Sequence, residues 1–406
     1  NTAKLVKEIN KNIITVIGGP HASVRPEDFL ESGYADFAVI GEGEHTFRDI
    51  ISYMEKKKNI EDINGLVYKK GPAIIKNKPR AFIADLDSLP IPAYHLIELE
   101  RYFHLFKSGY GTRQHMISPR CISVITSRGC PFNCCFCSIH LHIGKIWRAN
   151  SAEYVLNHLQ MLKDKYNVKQ IRFEDDNLTL DKKRFERILD GMISKKLDFV
   201  WDTPNGVRAD CLDENLIKKA VQSGCKRLII GVESGDQEVL DKIIGKNLKL
   251  EKVIEIAGIC KKQKLDLHAF FVVGFPGETK QNIKNTFDFA YMLNKKYDVA
   301  PSFNIATPLI GTKLYEEAKK QGYIIEELNS ENLMIGSLFK TGGLIKTNEF
   351  NPEGLRRDID KFYKRLFLLQ LKKPGYLFKR LIRNPQTFLF KTKILMDFAF
   401  SRKKKK

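Results

Sequence analysis

Residues Arg128-Gly129-Cys130-Pro131-Phe132-Asn133-Cys134-Cys135-Phe136-Cys137 bring three thiols, those of Cys130, Cys134 and Cys137, into one short loop. A cubane iron–sulfur cluster has four irons, so three thiolates converging on it leave the fourth open to a ligand that is not protein. That open iron is a place for chemistry. Zinc is the competing occupant: a tetrahedral site needs four N or S ligands and would have to recruit Cys135, Cys121 or His140. Disulfides are disfavoured, because the eight cysteines in 406 residues show no regular framework. A tight loop is expected to turn Cys135 away from its neighbours, so it is set apart from the ligands. Cys121, Cys211, Cys225 and Cys260 stand singly among apolar residues, where a buried structural thiol is the ordinary outcome.

The elements that follow must position this loop. Apolar or β-branched runs at 122–126, 170–173, 199–201, 227–231, 267–273 and 302–305 alternate with amphipathic stretches. One stretch opens at Asn150 as N-cap, with Glu153 in the capping-box position and Val155, Leu156, Leu159 and Leu162 on one face. Others begin after Asp181 and after Asp213. This alternation argues for an α/β fold with a parallel sheet and helical crossovers, in which chemistry collects at the carboxyl ends of the strands. After the second run stand Glu174-Asp175-Asp176-Asn177. Adjacent carboxylates make poor core, and the plain reading is a solvated cap for the helix at Asp181. After the third comes Arg208, able to hold a carboxylate bidentately or to form a surface pair with Asp210 or Asp213. Glu233 directly follows an apolar strand, where a charge needs a partner; a ribose with two hydroxyls would suit it. Segments 273–279 and 307–312 are Gly/Pro turns.

The C-x3-C-x2-C spacing, with Phe136 just before the last cysteine, resembles the cluster loop of the radical S-adenosylmethionine (SAM) enzymes. The strand-end segments follow in the order of that family, Gly231-Val232-Glu233-Ser234-Gly235-Asp236 among them, and the resemblance covers roughly 120–325. It implies a partial (β/α)6 barrel over 119–325, with a 4Fe–4S cluster on Cys130, Cys134 and Cys137. It also implies a SAM site of Phe136, Asp175, Asp176, Arg208, Glu233 and Ser234, with Glu174 and Asn177 beside them. Such an enzyme cleaves SAM to a 5'-deoxyadenosyl radical, using an external electron donor such as flavodoxin or ferredoxin.

The amino-terminal part is a different module. An apolar stretch at 12–17 runs into Gly18-Gly19-Pro20-His21, and another at 37–40 ends in Gly41-Glu42-Gly43-Glu44. Glycine turns let a backbone approach a ligand, and are common in nucleotide-binding α/β domains. Placed before such a barrel, these turns resemble the second half of the Rossmann-like cobalamin-binding domain of the B12-binding radical SAM enzymes. The resemblance makes these eight residues candidate cobalamin contacts, with His21 a loop residue rather than a cobalt ligand. The early strands of that domain are expected to precede Asn1, so residues 1–70 are expected to be part of a truncated domain with an exposed sheet edge; cobalamin binding is expected of the full-length protein. Residues 71–118 read as a linker, extended at Pro90 and Pro92, with Tyr94, Tyr102 and His104 as packing residues.

At 43% hydrophobic residues the chain can build two domains, and no apolar run approaches the ~20 residues of a membrane span. Of the net charge of +20, much lies in the helical carboxy-terminal region 326–406, where residues 371–406 hold twelve Lys and Arg against Asp397 alone. A basic amphipathic tail of this kind suits anionic lipid, or a solvated end on a packed helix. Without a groove-reading motif, nucleic acid comes last. The resulting expectation is a cytoplasmic enzyme, with 371–406 as a candidate peripheral membrane contact, that transfers a methyl group with cobalamin to an unactivated carbon of a small-molecule or lipid-like substrate. The alternatives are a cobalamin-dependent radical cyclase or rearrangement enzyme, a methylthiotransferase, and a zinc-stabilised binding module. A methylthiotransferase should bring three further cysteines before the barrel, and none precedes Cys121.

Overall fold

The computed structural model describes residues 2–108, 117–329 and 343–371. The basic tail from 372 onward lies outside the described residues. An amino-terminal unit is built on four strands in the order β1 (Val16–Ile17), β2 (Phe37–Val39), β3 (Leu66–Lys70) and β4 (Ala73–Lys76). The first pair is parallel and the other two antiparallel. The strand expected from residue 12 shrinks to two residues because Thr15 is drawn to Asp36: its N–H and hydroxyl both donate to that carboxylate, at 2.7 and 3.0 Å. Period-two burial divides β3 between two small cores, Leu66 and Tyr68 facing one and Val67 the other. The β3–β4 hairpin carries this sheet to Lys76, past the expected boundary at 70, and 71–118 also holds a helix at Leu99–Ser108.

The barrel follows. Strands β5 (Cys121–Val124), β8 (Gln170–Phe173), β9 (Val200–Asp202), β10 (Cys225–Glu233), β11 (Asp266–Val273) and β12 (Ala300–Ile305) form one sheet in the order β12-β11-β10-β9-β8-β5. Every neighbouring pair is parallel. Two further strands, β6 (Ser127–Arg128) and β7 (Arg148–Ala149), make a separate antiparallel hairpin. Six parallel strands with helical crossovers are the expected partial barrel. Asp181 and Asp213 cap their helices as expected, accepting from Arg184 N and Leu216 N. At the first helix the cap is Ser151, which accepts from Tyr154 N, one residue later than expected. Asn150 is diverted because its Nδ2 donates to Asp87 on the linker and its carbonyl accepts from the buried Arg184.

One large core joins strands and helices, with Phe173, Phe185 and Trp201 meeting edge-on at 5.5–6.4 Å. Between those apolar positions the register sets Arg172, Asp202 and Arg227 in one row across β8, β9 and β10. The two guanidinium groups flank Asp202 at 3.7 and 3.8 Å. Burial pushes this carboxyl up to about 6. The inner face of the barrel is therefore polar where aliphatic side chains would be usual. Cys225 and Cys260 belong to the large core, the structural role expected of them. Among the described residues no helix is long and apolar enough to cross a membrane.

The turn after β11 rests on Glu278. Its Oε2 accepts from Gly274 N and Phe275 N at 2.7 and 2.8 Å, while burial raises its carboxyl to about 7. In the window between the ordinary 4.5 and about 7 the folded chain holds more proton than the unfolded one, so stability falls as pH rises, and the loss is complete above pH 7. Glu278→Gln keeps the acceptor and removes the titration. Urea unfolding from pH 5 to 7.5 should show the parent losing on the order of 3 kcal/mol more than the variant across this window; parallel curves would count against the assignment.

Candidate active site

The β6–β7 hairpin delivers the cysteine loop. Gly129 at its start has φ 84, and a Cβ there would stand 2.4 Å from the Ile146 carbonyl oxygen, so only glycine fits. Beyond it Cys130, Cys134 and Cys137 line a single cavity of about 520 Å³, walled also by Phe136, Asp176, Asn177, Arg208, Glu233 and Lys246. Burial raises the Cys134 thiol, and that of Cys137 to about 11. Bound metal must displace those protons. Cys135 lines a different cavity on the other side of the loop, its N–H donating to the Ile244 carbonyl at 2.9 Å. The further ligands zinc would need are engaged elsewhere: His140 Nε2 donates to the Cys130 carbonyl at 3.0 Å, and Cys121 is buried in β5. Among the described residues no three His, Cys, Asp or Glu side chains stand close enough to hold one ion. A cluster spreads its thiolates over separate irons, and three thiols around a roomy cavity suit it better.

The acidic run after β8 divides its work. Asp175 is buried, and its Oδ1 accepts from Thr126 N, Thr126 Oγ1 and Ser127 Oγ at 3.0, 2.8 and 2.5 Å. It braces the hairpin and does not reach the cavity, contrary to the expectation of a SAM contact. Asp176 does reach it; burial, then the neighbouring Asp175 charge, raise its carboxyl to about 6 although Gly129 N–H donates to it. Glu174 accepts from Ser123 Oγ at 2.8 Å, beside β5. Asn177 is almost fully buried, with its Nδ2 3.9 Å from Cys130 Sγ and its Oδ1 without a hydrogen-bond partner among the described residues.

The opposite wall is ionic. Glu233 takes a left-handed backbone, φ 70, at the end of β10. Lys246 Nζ donates to its Oε1 at 2.8 Å, and both side chains are buried. A π-helical turn, Val239–Ile244, and left-handed Gly245 bring Lys246 back over the strand end. Such turns cluster at functional sites. Lys246 was missed from the sequence, where the one signal for it was the partner a glutamate buried at Glu233 must have. Arg208 forms the ion pair offered for it, Nε and Nη2 holding Asp210 at 3.0 and 2.8 Å, and its guanidinium lies 3.7 Å over Phe132 in the cavity wall. Ser234 is turned away, bonded to Thr286 Oγ1 at 2.9 Å in the interior. Phe136 faces the cavity and packs on Phe275, ring centroids 5.8 Å apart.

Comparison with known proteins fits this arrangement. The Radical SAM superfamily pattern matches residues 124–290, and the B12 binding domain pattern matches 1–51. The chain is 34% identical to the "Uncharacterized methyltransferase PH0819" of Pyrococcus horikoshii, over 94% of this chain and 80% of that protein. It belongs to the B12-binding radical SAM enzymes. A cytidylyl-2-hydroxyethylphosphonate methyltransferase of Streptomyces wedmorensis is 27% identical over 80% of this chain and 64% of its own length. Among solved structures, the cobalamin-dependent SAM radical enzyme OxsB with aqua-cobalamin and SAM bound superimposes with TM-score 0.68 at 19% identity, covering 98% of this chain and 64% of that one. TsrM from Kitasatospora setae, with cobalamin and a 4Fe–4S cluster bound, gives 0.63 at 15%, covering 79% and 60%. These two likenesses show a shared fold. The chain thus spans under two thirds of the length of several of its relatives.

In this radical SAM chain the candidate cobalamin residues separate into two groups. Gly18 and Gly19 end β1; Gly19 has φ 97 with no atom within 4 Å of where a Cβ would stand, an open approach for a ligand. Pro20 starts the short helix Pro20–Val24, and His21 Nε2 meets Asp28 at 2.9 Å near the surface. Gly41 packs near the His142 carbonyl and Gly43 near Val39. Glu42 and Glu44 are otherwise employed. Buried Glu42 accepts from Arg148 Nη1 at 2.8 and 2.9 Å, from Arg128 Nη1 at 2.9 Å and from Ile83 N at 2.6 Å. Glu44 takes the second Arg128 nitrogen at 2.6 Å. These two carboxylates tie the amino-terminal unit to the cluster hairpin instead of presenting a free rim to a ligand. Glu42→Ala should therefore cost roughly 3–5 kcal/mol, because it strands Arg148 in the interior, and should speed hydrogen exchange across 127–149. Glu44→Ala, at a more open pair, should cost under about 1 kcal/mol. Equal losses would sink the distinction.

Proposed function

We propose that this chain reductively cleaves SAM at a 4Fe–4S cluster held by Cys130, Cys134 and Cys137, and directs the outcome to cobalamin-dependent methylation of a small molecule. The observation that carries the reading is the single cavity shared by three loop thiols, Asp176 and the buried Glu233–Lys246 pair. With cluster and SAM in place, that cavity would supply a 5'-deoxyadenosyl radical. Cobalamin, against the Gly18–Gly19 turn, would supply a transferable methyl group. The protein's own part is binding and orientation. Asp176 and the orphaned Asn177 Oδ1 offer acceptors for the SAM amino group, and Phe136 lends an apolar wall. Lys246 offers a cation to its carboxylate, and Glu233 an acceptor to its ribose hydroxyls. Arg208, stacked on Phe132 with its charge met by Asp210, shapes the wall. The first relative above, described as a methyltransferase, supports methyl transfer.

Anaerobic reconstitution with iron, sulfide, cobalamin and SAM, with dithionite as the electron donor, tests this. The parent should yield 5'-deoxyadenosine together with S-adenosylhomocysteine. Cys134→Ala should lose the visible iron–sulfur absorbance and both products, whereas Cys135→Ser should keep them. 5'-Deoxyadenosine alone would favour cyclisation or rearrangement, and one zinc per chain without iron would end the reading.

A further inference from the structure

We propose that the outer face of the cluster loop, at the cavity of Cys135, is the docking surface for an acidic one-electron protein donor that reduces the cluster. This rests on the function proposed above, because SAM cleavage consumes an electron that the chain does not hold. One electron leaves the donor, which is oxidised by one unit, and enters the cluster; no proton or group moves.

The loop is a thin partition between two cavities. On its inner side are the three thiols; on its outer side Asn133 and Cys135 line a second cavity of about 310 Å³. Two short routes cross the partition. One is the peptide between Cys134, which faces inward, and Cys135, which faces outward. The other is the contact of Phe136, in the inner cavity, with Phe275, which lines the outer one. The hairpin leading into the loop is covered by the amino-terminal unit through Arg128 and Glu42, which among the described residues leaves the Cys135 side as an open approach.

The surface suits an acidic protein. Ile243, Pro276 and Leu314 give an apolar floor, with Lys242 and Lys313 beside it against the single carboxylate of Glu317. Among the described residues Lys242 is paired only with exposed Glu238, an interaction water makes weak. Lys313 has no ion pair among the described residues. The net charge of +20 over the whole chain draws an acidic partner from a distance. An apolar centre with a charged rim is the usual anatomy of a transient protein contact.

The test uses the reconstituted full chain and a reduced acidic flavodoxin, with cluster reduction followed by stopped flow. Lys242→Glu with Lys313→Glu should slow reduction by flavodoxin roughly tenfold or more at low salt and flatten its salt dependence. Reduction by dithionite, and the dithionite-driven cleavage of SAM, should be unchanged. A control pair on the amino-terminal unit, Lys4→Glu with Lys57→Glu, should leave flavodoxin reduction at the parent rate. Lys242→Gln with Lys313→Gln covers the case in which charge reversal costs the cluster, and should give an intermediate rate. Parent-like flavodoxin kinetics in both variants, as expected if the cavity holds a small molecule, would overturn the proposal. Failure of the functional reading would show separately, as an absence of SAM cleavage by the parent with either reductant.

Discussion

The carboxylate of Glu42 is the interaction on which the rest depends. A buried charge is tolerated only when its lone pairs are taken up, and here two guanidinium groups and a backbone N–H converge on it. Those donors come from β6, β7 and the linker, so one side chain of the amino-terminal unit fixes the mouth of the cysteine loop. On the opposite side Asp175 takes Thr126 and Ser127 at the root of the same hairpin. The loop is thus clamped between two buried carboxylates, one from each module. Between them Gly129 presses against the Ile146 carbonyl with no room for a side chain.

Downstream, the cavity owes its polarity to a backbone distortion. A left-handed Glu233 and a π-helical turn both carry a local conformational cost, and such costs persist where the surrounding packing enforces them. Together they aim a carboxylate and an ammonium at each other across 2.8 Å in a nearly closed space. Each neutralises the other. A ligand bearing both a cation-seeking and an anion-seeking group can separate them without leaving either charge alone.

The sequence carried the barrel well, because each strand-helix unit repeats the same burial pattern and Asp181 and Asp213 announce their helices unaided. It carried the loop thiols through spacing. It did not show the partners of Asp175, Glu42 and Glu44, since a carboxylate bonded by distant hydroxyls or arginines looks no different in one dimension from one awaiting a ligand. Lys246 was invisible for the same reason: its partner lies thirteen residues away across a non-standard turn. Asn150 lost its cap to Ser151 because a carboxylate on the linker, Asp87, outbid the helix for its amide. Local signals fixed the elements, and long-range polar pairing decided which side chains were free to act.

The junction at Glu42 also bears on how the chain assembles during synthesis. Its arginine partners lie 86 and 106 residues further along. At about 5–20 residues per second, the ribosome leaves this carboxylate waiting for on the order of 5–20 s before Arg148 exists. Until then the amino-terminal sheet can form, but the seam that joins it to the barrel cannot close. The two modules are therefore made in sequence and sealed late, by charges contributed from both sides of the seam.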